Sequence, residues 1–346
     1  MSKLRTVTKY IFVIVTVIAI LLMVVSVIAG ISIFRQRPER KTASVWSQGG
    51  GMGCSHVAVY ARGARPSGKS TPSAYTDDGT SLSLDDVNSI RLSLQSVVDL
   101  TLGTRRATKD KIEKLEGWAD CYSSSLNGPV TAVRVGSEDS FDADIYAVGG
   151  SFTAMHPLEF MSGGFLSPVT TDKYQVVLND ALAWKMYSSY DVIGERVKLL
   201  DKDYTVIGVV REHEDKEPRA YIAFECIEEY CSSLEDPVVP AVMTYEAILP
   251  EQAKGSAKFD VCNAIPGYNI SSPSYRVVSV TGRYNVFNTF KADATAGYEL
   301  PFWEEGAVKA ESEIKTVAIV FSFGLVMLAG LAIGKLSSLF GQGEEE

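Results

Sequence analysis

The sequence predicts an α+β domain held between two membrane-spanning α-helices. Three observations carry that expectation. An uncharged apolar run lies near each end of the chain. An amphipathic helix pattern opens at Ser83, and strand, helix and hairpin signals follow one another between Tyr174 and Val210.

The first apolar run extends from Ile11 to Ile33 without a charge, interrupted only by Thr16, Ser26, Gly30 and Ser32. At about 1.5 Å per residue such a helix crosses a hydrocarbon core of roughly 30 Å. A cleaved signal peptide is the alternative, with Val27-Ile28-Ala29 before Gly30 as its site, although the run is longer than a usual h-region. The second run begins at Thr316 and continues through Val317, Ile319, Val320, Phe321, Leu325, Val326, Leu328 and Leu331 to Ile333. Lys315 and Lys335 are placed to snorkel at its two ends. Here the alternative is a buried helix of a soluble fold.

Two spans put both termini on one side. Lys3, Arg5 and Lys9 precede the first span and Arg35, Arg37, Arg40 and Lys41 follow it, so the positive-inside comparison is close to a tie. The expected layout is a cytoplasmic N-terminus (1–9), a first span (10–34), an outside domain (42–301), a stalk helix (302–315), a second span (316–339) and a cytoplasmic tail (340–346). The stalk is expected because Glu305 with Lys309 and Glu311 with Lys315 are favourable i,i+4 pairs, and no Pro or Gly falls between Ala307 and Phe323.

Composition narrows the function classes. Of the 346 residues, 46% are hydrophobic and 22% charged, which excludes wholesale disorder. Lys and Arg number 33 against 42 Asp and Glu, a formal charge of -9 that argues against nucleic acid as a partner. Five irregularly spaced cysteines do not make a disulfide scaffold.

Within the central domain, residues 42 to about 80 are rich in Gly, Ser, Pro and Ala, with one strand marked by Val57, Val59 and Ala61. Ser83-Leu84-Asp85-Asp86 fits a capping box, and Val87, Ile90, Leu94, Val97 and Val98 follow on one helical face. Residues 101–150 offer weaker signals, with strands expected at Val130–Val135 and Ile145–Val148. Tyr174–Leu178 reads as a strand, and Asn179 as the cap of a helix through Tyr190 with Leu182, Met186 and Tyr187 inward. Arg196–Leu200 and Tyr204–Val210 form a hairpin around an Asp201-Lys202-Asp203 turn. Gly194 suits a turn that needs positive φ, and Gly208 inside a strand suggests a bulge or close backbone approach. Further strand-like runs lie near Ala220–Phe224, Val238–Ile248 and Tyr275–Val280. No internal repeat is visible.

Gly63-Ala64-Arg65-Pro66-Ser67-Gly68-Lys69-Ser70 formally matches the phosphate-cradling loop of nucleotide hydrolases. That mechanism needs a helix starting at Lys69, and the Thr71-Pro72-Ser73-Ala74 and Asp77-Asp78-Gly79 segments that follow are turn-rich, so a loop without nucleotide is expected. His56, His156 and His213 are the only histidines, and none has a second ligand at metal spacing; His213 sits in a run of charges. Cys226 and Cys231 could bridge only if a loop lies between them, because on a helix they point apart. Asn269-Ile270-Ser271 is a formal glycosylation acceptor, and Gly49-Gly50-Gly51-Met52-Gly53 reads as a hinge. No nucleophile–base pair stands out. The expectation is a protein that is not an enzyme, with no catalytic residue, metal or cofactor.

Val176-Val177-Leu178-Asn179-Asp180-Ala181-Leu182-Ala183, then Asp191-Val192-Ile193-Gly194-Glu195-Arg196-Val197-Lys198-Leu199, then Asp203-Tyr204-Thr205-Val206-Ile207-Gly208-Val209-Val210 resemble the periplasmic core domain of MacB-type ABC transporter permeases. Leu82-Ser83-Leu84-Asp85-Asp86-Val87 is similar to that family's first helix, and Gly149 with Phe160-Met161-Ser162-Gly163-Gly164-Phe165 to its following segment. The resemblance is good over about 140–212, fair over 10–100 and indistinct over 213–300.

The resemblance implies a plasma-membrane protein with a two-part outside domain, one part near the membrane and a variable part inserted in it, similar to macrolide exporters, lipoprotein-release permeases and FtsX proteins. Such permeases have four spans, work as dimers and transmit the motion of a cytoplasmic ATPase to the outside domain. This chain shows two runs where they have four, so the expectation is a subunit that needs another permease chain, in a homo- or hetero-oligomer, to reach an ATPase. A two-span anchored module that senses or binds a partner outside the cell is the other reading, and a truncated remnant the third.

Overall fold

The computed structural model describes residues 2–37, 39–47, 53–62, 72–76, 78–106, 118–133, 139–167, 172–212, 217–269, 275–290, 298 and 300–340. The Gly63–Ser70 loop, His213, nearly all of the Gly49–Gly53 run, Ile270-Ser271 of the acceptor triplet and the tail from 341 lie outside the described residues.

In chain order the elements are α1 (Ser2–Arg35), α2 (Glu39–Ser47), β1 (Cys54–Tyr60), α3 (Leu84–Arg106), β2 (Ala119–Ala132), β3 (Ser140–Gly150), α4 (Phe152–Met155), β4 (Glu159–Gly163) and β5 (Gln175–Asn179). They continue as α5 (Asp180–Tyr187), β6 (Arg196–Leu199), β7 (Lys202–Arg211), β8 (Arg219–Ala223), α6 (Phe224–Ser232), β9 (Thr244–Pro250), α7 (Ser256–Ala264), β10 (Arg276–Ser279), α8 (Val286–Thr289) and α9 (Phe302–Phe340). They divide into a sheet unit (Glu39–Thr281 with Asp293–Glu304) and a helical unit (Met1–Pro38, Gly282–Ala292 and Glu305–Glu346).

In the sheet unit the strands follow the order β10-β1-β9-β2-β3-β8-β5-β7-β4. β6 pairs with both β7 and β2, which closes β2, β3, β8, β5, β7 and β6 into a ring. Pairing is antiparallel except for β3 with β8 and β5 with β7. The mixed α+β expectation holds. Because successive strand residues face opposite sides, the sheet carries two cores. Val57, Val59, Ile90, Ile145, Leu178, Val209, Ile222 and Tyr245 fill the larger one. Cys54, Cys121, Tyr146, Met155, Val177, Tyr221 and Ile248 form the other, with Phe302 and Trp303 packed on it.

Local chemistry fixes the elements that were expected. Ser83 and Asp86 make a reciprocal capping box: Asp86 N–H donates to Ser83 Oγ at 3.1 Å, and Ser83 N–H to Asp86 Oδ2 at 2.8 Å. Val87, Ile90, Leu94 and Val98 are then buried along α3. The Asn179 side chain accepts from Leu182 N–H at 2.9 Å and so caps α5. That helix stops at Tyr187, short of Tyr190, because Ser188 turns left-handed with φ 52°. The β6–β7 turn is Leu200-Asp201, both at positive φ (48° and 59°), as a two-residue hairpin turn of right-handed strand twist requires. The turn therefore lies one residue earlier than expected. Gly194 takes φ +87°, and β7 shifts register against β5 beside Gly208, as a bulge does.

Other expectations need correction. Of the strand expected at Val130–Val135, Val130–Ala132 is the end of β2, which begins at Ala119, and residues 134 and 135 lie outside the described residues; Ser123-Ser124-Ser125 and Asn127-Gly128-Pro129 hide the rest of β2 behind polar and turn-forming residues. Val238–Ile248 is strand only from Thr244, preceded by isolated bridges at Pro240 and Val242. α2, α6 and α7 were read as loop or left unassigned. α6 carries Cys226 and Cys231 on a helix, and both are free and buried, as are Cys54, Cys121 and Cys262.

In the helical unit, Tyr10–Arg35 and Phe302–Lys335 are each long and apolar enough to cross a membrane. A Cβ on Gly324 would stand 2.9 Å from Met23 Cγ and 3.1 Å from the Ala19 carbonyl oxygen, so α1 and α9 approach closely there. Arg283 Nε donates to Glu311 Oε1 at 2.8 Å beside a small cluster of Tyr284, Ala307, Ala310 and Ile314.

Candidate functional site

Three strands and one short helix bring a Cys, two His and a Glu together on the second face of the sheet. β1 pairs with β9 with Ala58 opposite Glu246 and His56 opposite Ile248, while β9 pairs with β2 with Cys121 directly opposite Glu246. Cross-strand partners of this kind hold their Cβ atoms about 5 Å apart. α4 ends at His156, whose backbone N–H donates to Phe152 O at 2.9 Å, and this turn delivers its ring to the same place.

Glu246 is the centre of the group. Its Oε2 lies 2.7 Å from His56 Nε2, and its Oε1 lies 3.0 Å from His156 Nε2 and accepts from Trp303 Nε1–H at 3.2 Å. Only 2% of Glu246 and 1% of His56 are exposed, while the His156 side chain keeps 12%. The rings of Phe152 and Trp303 flank His156 with centroids 4.6 Å away. Burial pushes the Glu246 carboxyl up, but the charge and hydrogen bonds of His156 and His56 outweigh it and hold the group well below the ordinary carboxylate range. Burial and the charge of Glu246 push the Cys121 thiol far above its ordinary value. Cys121, His156 and Glu246 each place a donor atom within 4.8 Å of the other two. Among the described residues, Nδ1 of His56 is buried without a hydrogen-bond partner.

A second buried network stands on the same sheet. Arg219 Nη1 pairs with Glu212 Oε2 at 2.6 Å, Tyr221 Oη donates to Glu212 Oε1 at 2.5 Å, and the Arg219 guanidinium lies 3.9 Å over the Phe302 ring. These contacts, together with Tyr60 Oη donating to Glu304 Oε2 at 2.7 Å and Arg276 Nη2 to Glu304 Oε1 at 3.0 Å, fix the first turn of α9 in the sheet unit. A cleft of about 450 Å³ lies elsewhere, lined by Leu126, Pro129, Lys198, Leu200, Asp201 and Tyr230.

Sequence spacing finds none of this. The nearest ligand-type neighbours, Cys54 of His56 and Glu159 of His156, are not part of the group, and the Glu246 cluster is assembled by strand register and the α4 turn. The one signal was a carboxylate in the middle of an apolar strand, Thr244–Pro250, where a charge has to be paired.

A sequence model described as the MacB-like periplasmic core domain matches residues 10–243. No curated protein matches the chain. Among solved structures, the periplasmic region of MacB from Actinobacillus actinomycetemcomitans is similar at 13% identity and a TM-score of 0.45, covering 72% of this chain and 97% of its own. The extracellular domain of the noncanonic ABC-type transporter YknZ from Gram-positive bacteria is similar at 13% identity and a TM-score of 0.41, covering 65% of this chain and 100% of its own. With the family match extending over more than half of its residues, the chain belongs to the MacB-like periplasmic core domain family.

Proposed function

We propose that this chain is a membrane subunit of a MacB-like ABC transporter system, with both termini cytoplasmic and the sheet unit outside. In this reading the outside domain transmits or receives conformational change, and a partner permease chain links it to a cytoplasmic ATPase. The family is a transporter component rather than an enzyme, and the match over residues 10–243 takes in the first apolar helix as well as most of the sheet.

The observation that supports transmission is the continuity of α9. Its residues Phe302, Trp303 and Glu304 are held in the sheet unit by Tyr146, Glu246, Tyr60 and Arg276. The same helix then runs to Phe340 without a break and includes the second apolar run. Each turn of a helix is tied to the next by i to i−4 hydrogen bonds, and in this reading α9 is the element through which displacement passes.

The test is purification of the full chain from its native membranes in mild detergent, followed by identification of what accompanies it. An ATP-binding-cassette ATPase and a second permease chain in stoichiometric amounts are the expected companions. Recovery of the chain without either would favour an anchored sensing or binding module.

A further inference from the structure

We propose that Cys121, His156 and Glu246 form a binding site for a borderline-soft divalent metal ion, Zn²⁺ by the chemistry of its donors. The inference is independent of the transport reading.

A thiol, an imidazole and a carboxylate are the three ligand types that Zn²⁺ takes, and three protein ligands leave a fourth position for water or another ligand. Their donor atoms already lie within 4.8 Å of one another. Bonds of about 2.0–2.3 Å in a tetrahedron set neighbouring ligands roughly 3.5 Å apart, so the side chains close on an ion by rotamer adjustment without a change in strand register. The scaffold is stiff where precision is needed: Cys121 and Glu246 are register partners in the sheet. Access is provided at His156, the one member with appreciable exposure.

The surroundings match what a metal site needs beyond its ligands. His56 Nε2 stands 2.7 Å from Glu246 Oε2, the oxygen other than the one facing His156. It thereby orients the carboxylate, as outer hydrogen-bond partners of metal ligands do. A carboxylate oxygen offers two lone-pair sites, so Oε1 can keep the Trp303 N–H while the other faces the ion. A purely structural reading accounts for the His56–Glu246–His156 chain of hydrogen bonds. It leaves the Cys121 thiol only as a small apolar member of the second core, without a hydrogen bond among the described residues. Binding is balanced by loss of the Cys121 thiol proton to solvent; where His156 carries its proton on Nε2, that proton is exchanged to Nδ1, so that the neutral imidazole binds through Nε2.

The experiment is Co²⁺ titration of the full-length chain in detergent, without a polyhistidine tag and after treatment with chelator and reductant. One equivalent of Co²⁺ should give the thiolate-to-cobalt charge-transfer band and the intense visible bands of a tetrahedral site, and Zn²⁺ should displace it. Cys121→Ser should abolish the charge-transfer band, and His156→Gln, at the partly exposed member, should weaken Co²⁺ binding by at least about tenfold with the fold retained. His56→Gln should retain the band and weaken binding by about 10–100-fold, as loss of an orienting partner does. Absence of the band in the wild-type chain, its persistence in Cys121→Ser, or unchanged affinity in His156→Gln would each overturn the proposal. If Cys121→Ser does not fold, the wild-type spectrum and His156→Gln still decide it.

Discussion

Replacing Glu246 by Gln tests the energetics of the buried cluster with almost no change in shape. The carboxylate accepts from three directions: His56 Nε2 at 2.7 Å, His156 Nε2 at 3.0 Å and Trp303 Nε1 at 3.2 Å. Gln keeps one acceptor oxygen and puts an NH₂ donor where the other stood, so one imidazole N–H meets a donor instead of an acceptor. If His56 changes tautomer to avoid this, its proton moves to Nδ1, which is buried without a partner among the described residues. Either way one buried donor goes unsatisfied, and the remaining bonds lose their charge assistance. The expected loss is about 2–4 kcal/mol near neutral pH. The assay is urea unfolding of the purified full chain in detergent, with chelator present, followed by tryptophan fluorescence. The pH dependence supplies a second readout. Glu246 is held below its ordinary range, so its contribution is fully present above the unfolded carboxylate value of about 4.3 and is lost as pH falls through the lower folded value. The gap between wild type and Glu246→Gln should therefore narrow only in acid. A gap under about 0.5 kcal/mol at neutral pH, within the range of ordinary surface substitutions, would refute the reasoning.

Two further predictions follow from the geometry. A Cβ on Gly208 would stand 2.0 Å from the Gly164 carbonyl oxygen, so Gly208→Ala should cost about 2–4 kcal/mol or prevent folding, while Gly164→Ala, with nothing within 4 Å of its Cβ, should stay within about 0.5 kcal/mol of wild type in thermal unfolding. Ser232→Cys places a thiol at an exposed position of α6 against a background of five buried cysteines. A membrane-impermeant maleimide should label it on intact cells; labelling only after lysis would reverse the proposed orientation.

What could be read from the sequence was what local chemistry decides. The Ser83 box, the Asn179 cap, the β6–β7 hairpin and Gly208 each declare themselves within a few residues, and each stands in the structure close to where it was expected. β2 was legible only at its end because its middle, Ser123 to Pro129, is polar or turn-forming apart from Leu126; it is a strand because β3 and β9 pair with it on either side. α7 was missed because its buried set, Ala257, Val261, Cys262 and Ala264, is small and weakly periodic. The cluster at Glu246 was beyond reach for a different reason. Its members at 56, 121, 156 and 246 share no spacing, and only the register of three strands together with the α4 turn makes them neighbours.

We propose that this chain, through a partner permease, couples an ATPase to the outside domain, and a flexible insertion in α9 tests this most directly. Gly-Gly-Ser-Gly after Glu305 breaks the helix while sparing the anchors on both sides: Phe302–Glu304 in the sheet unit, and Ala307, Ala310 and Glu311 in the helical unit. The measurement is ATP hydrolysis and export by the purified complex in liposomes, with wild-type and inserted chains compared at equal assembly. The account predicts that the inserted chain assembles normally but leaves export at the level of a complex lacking this chain. Export equal to wild type would contradict it and leave the chain a passive anchor for its outside domain.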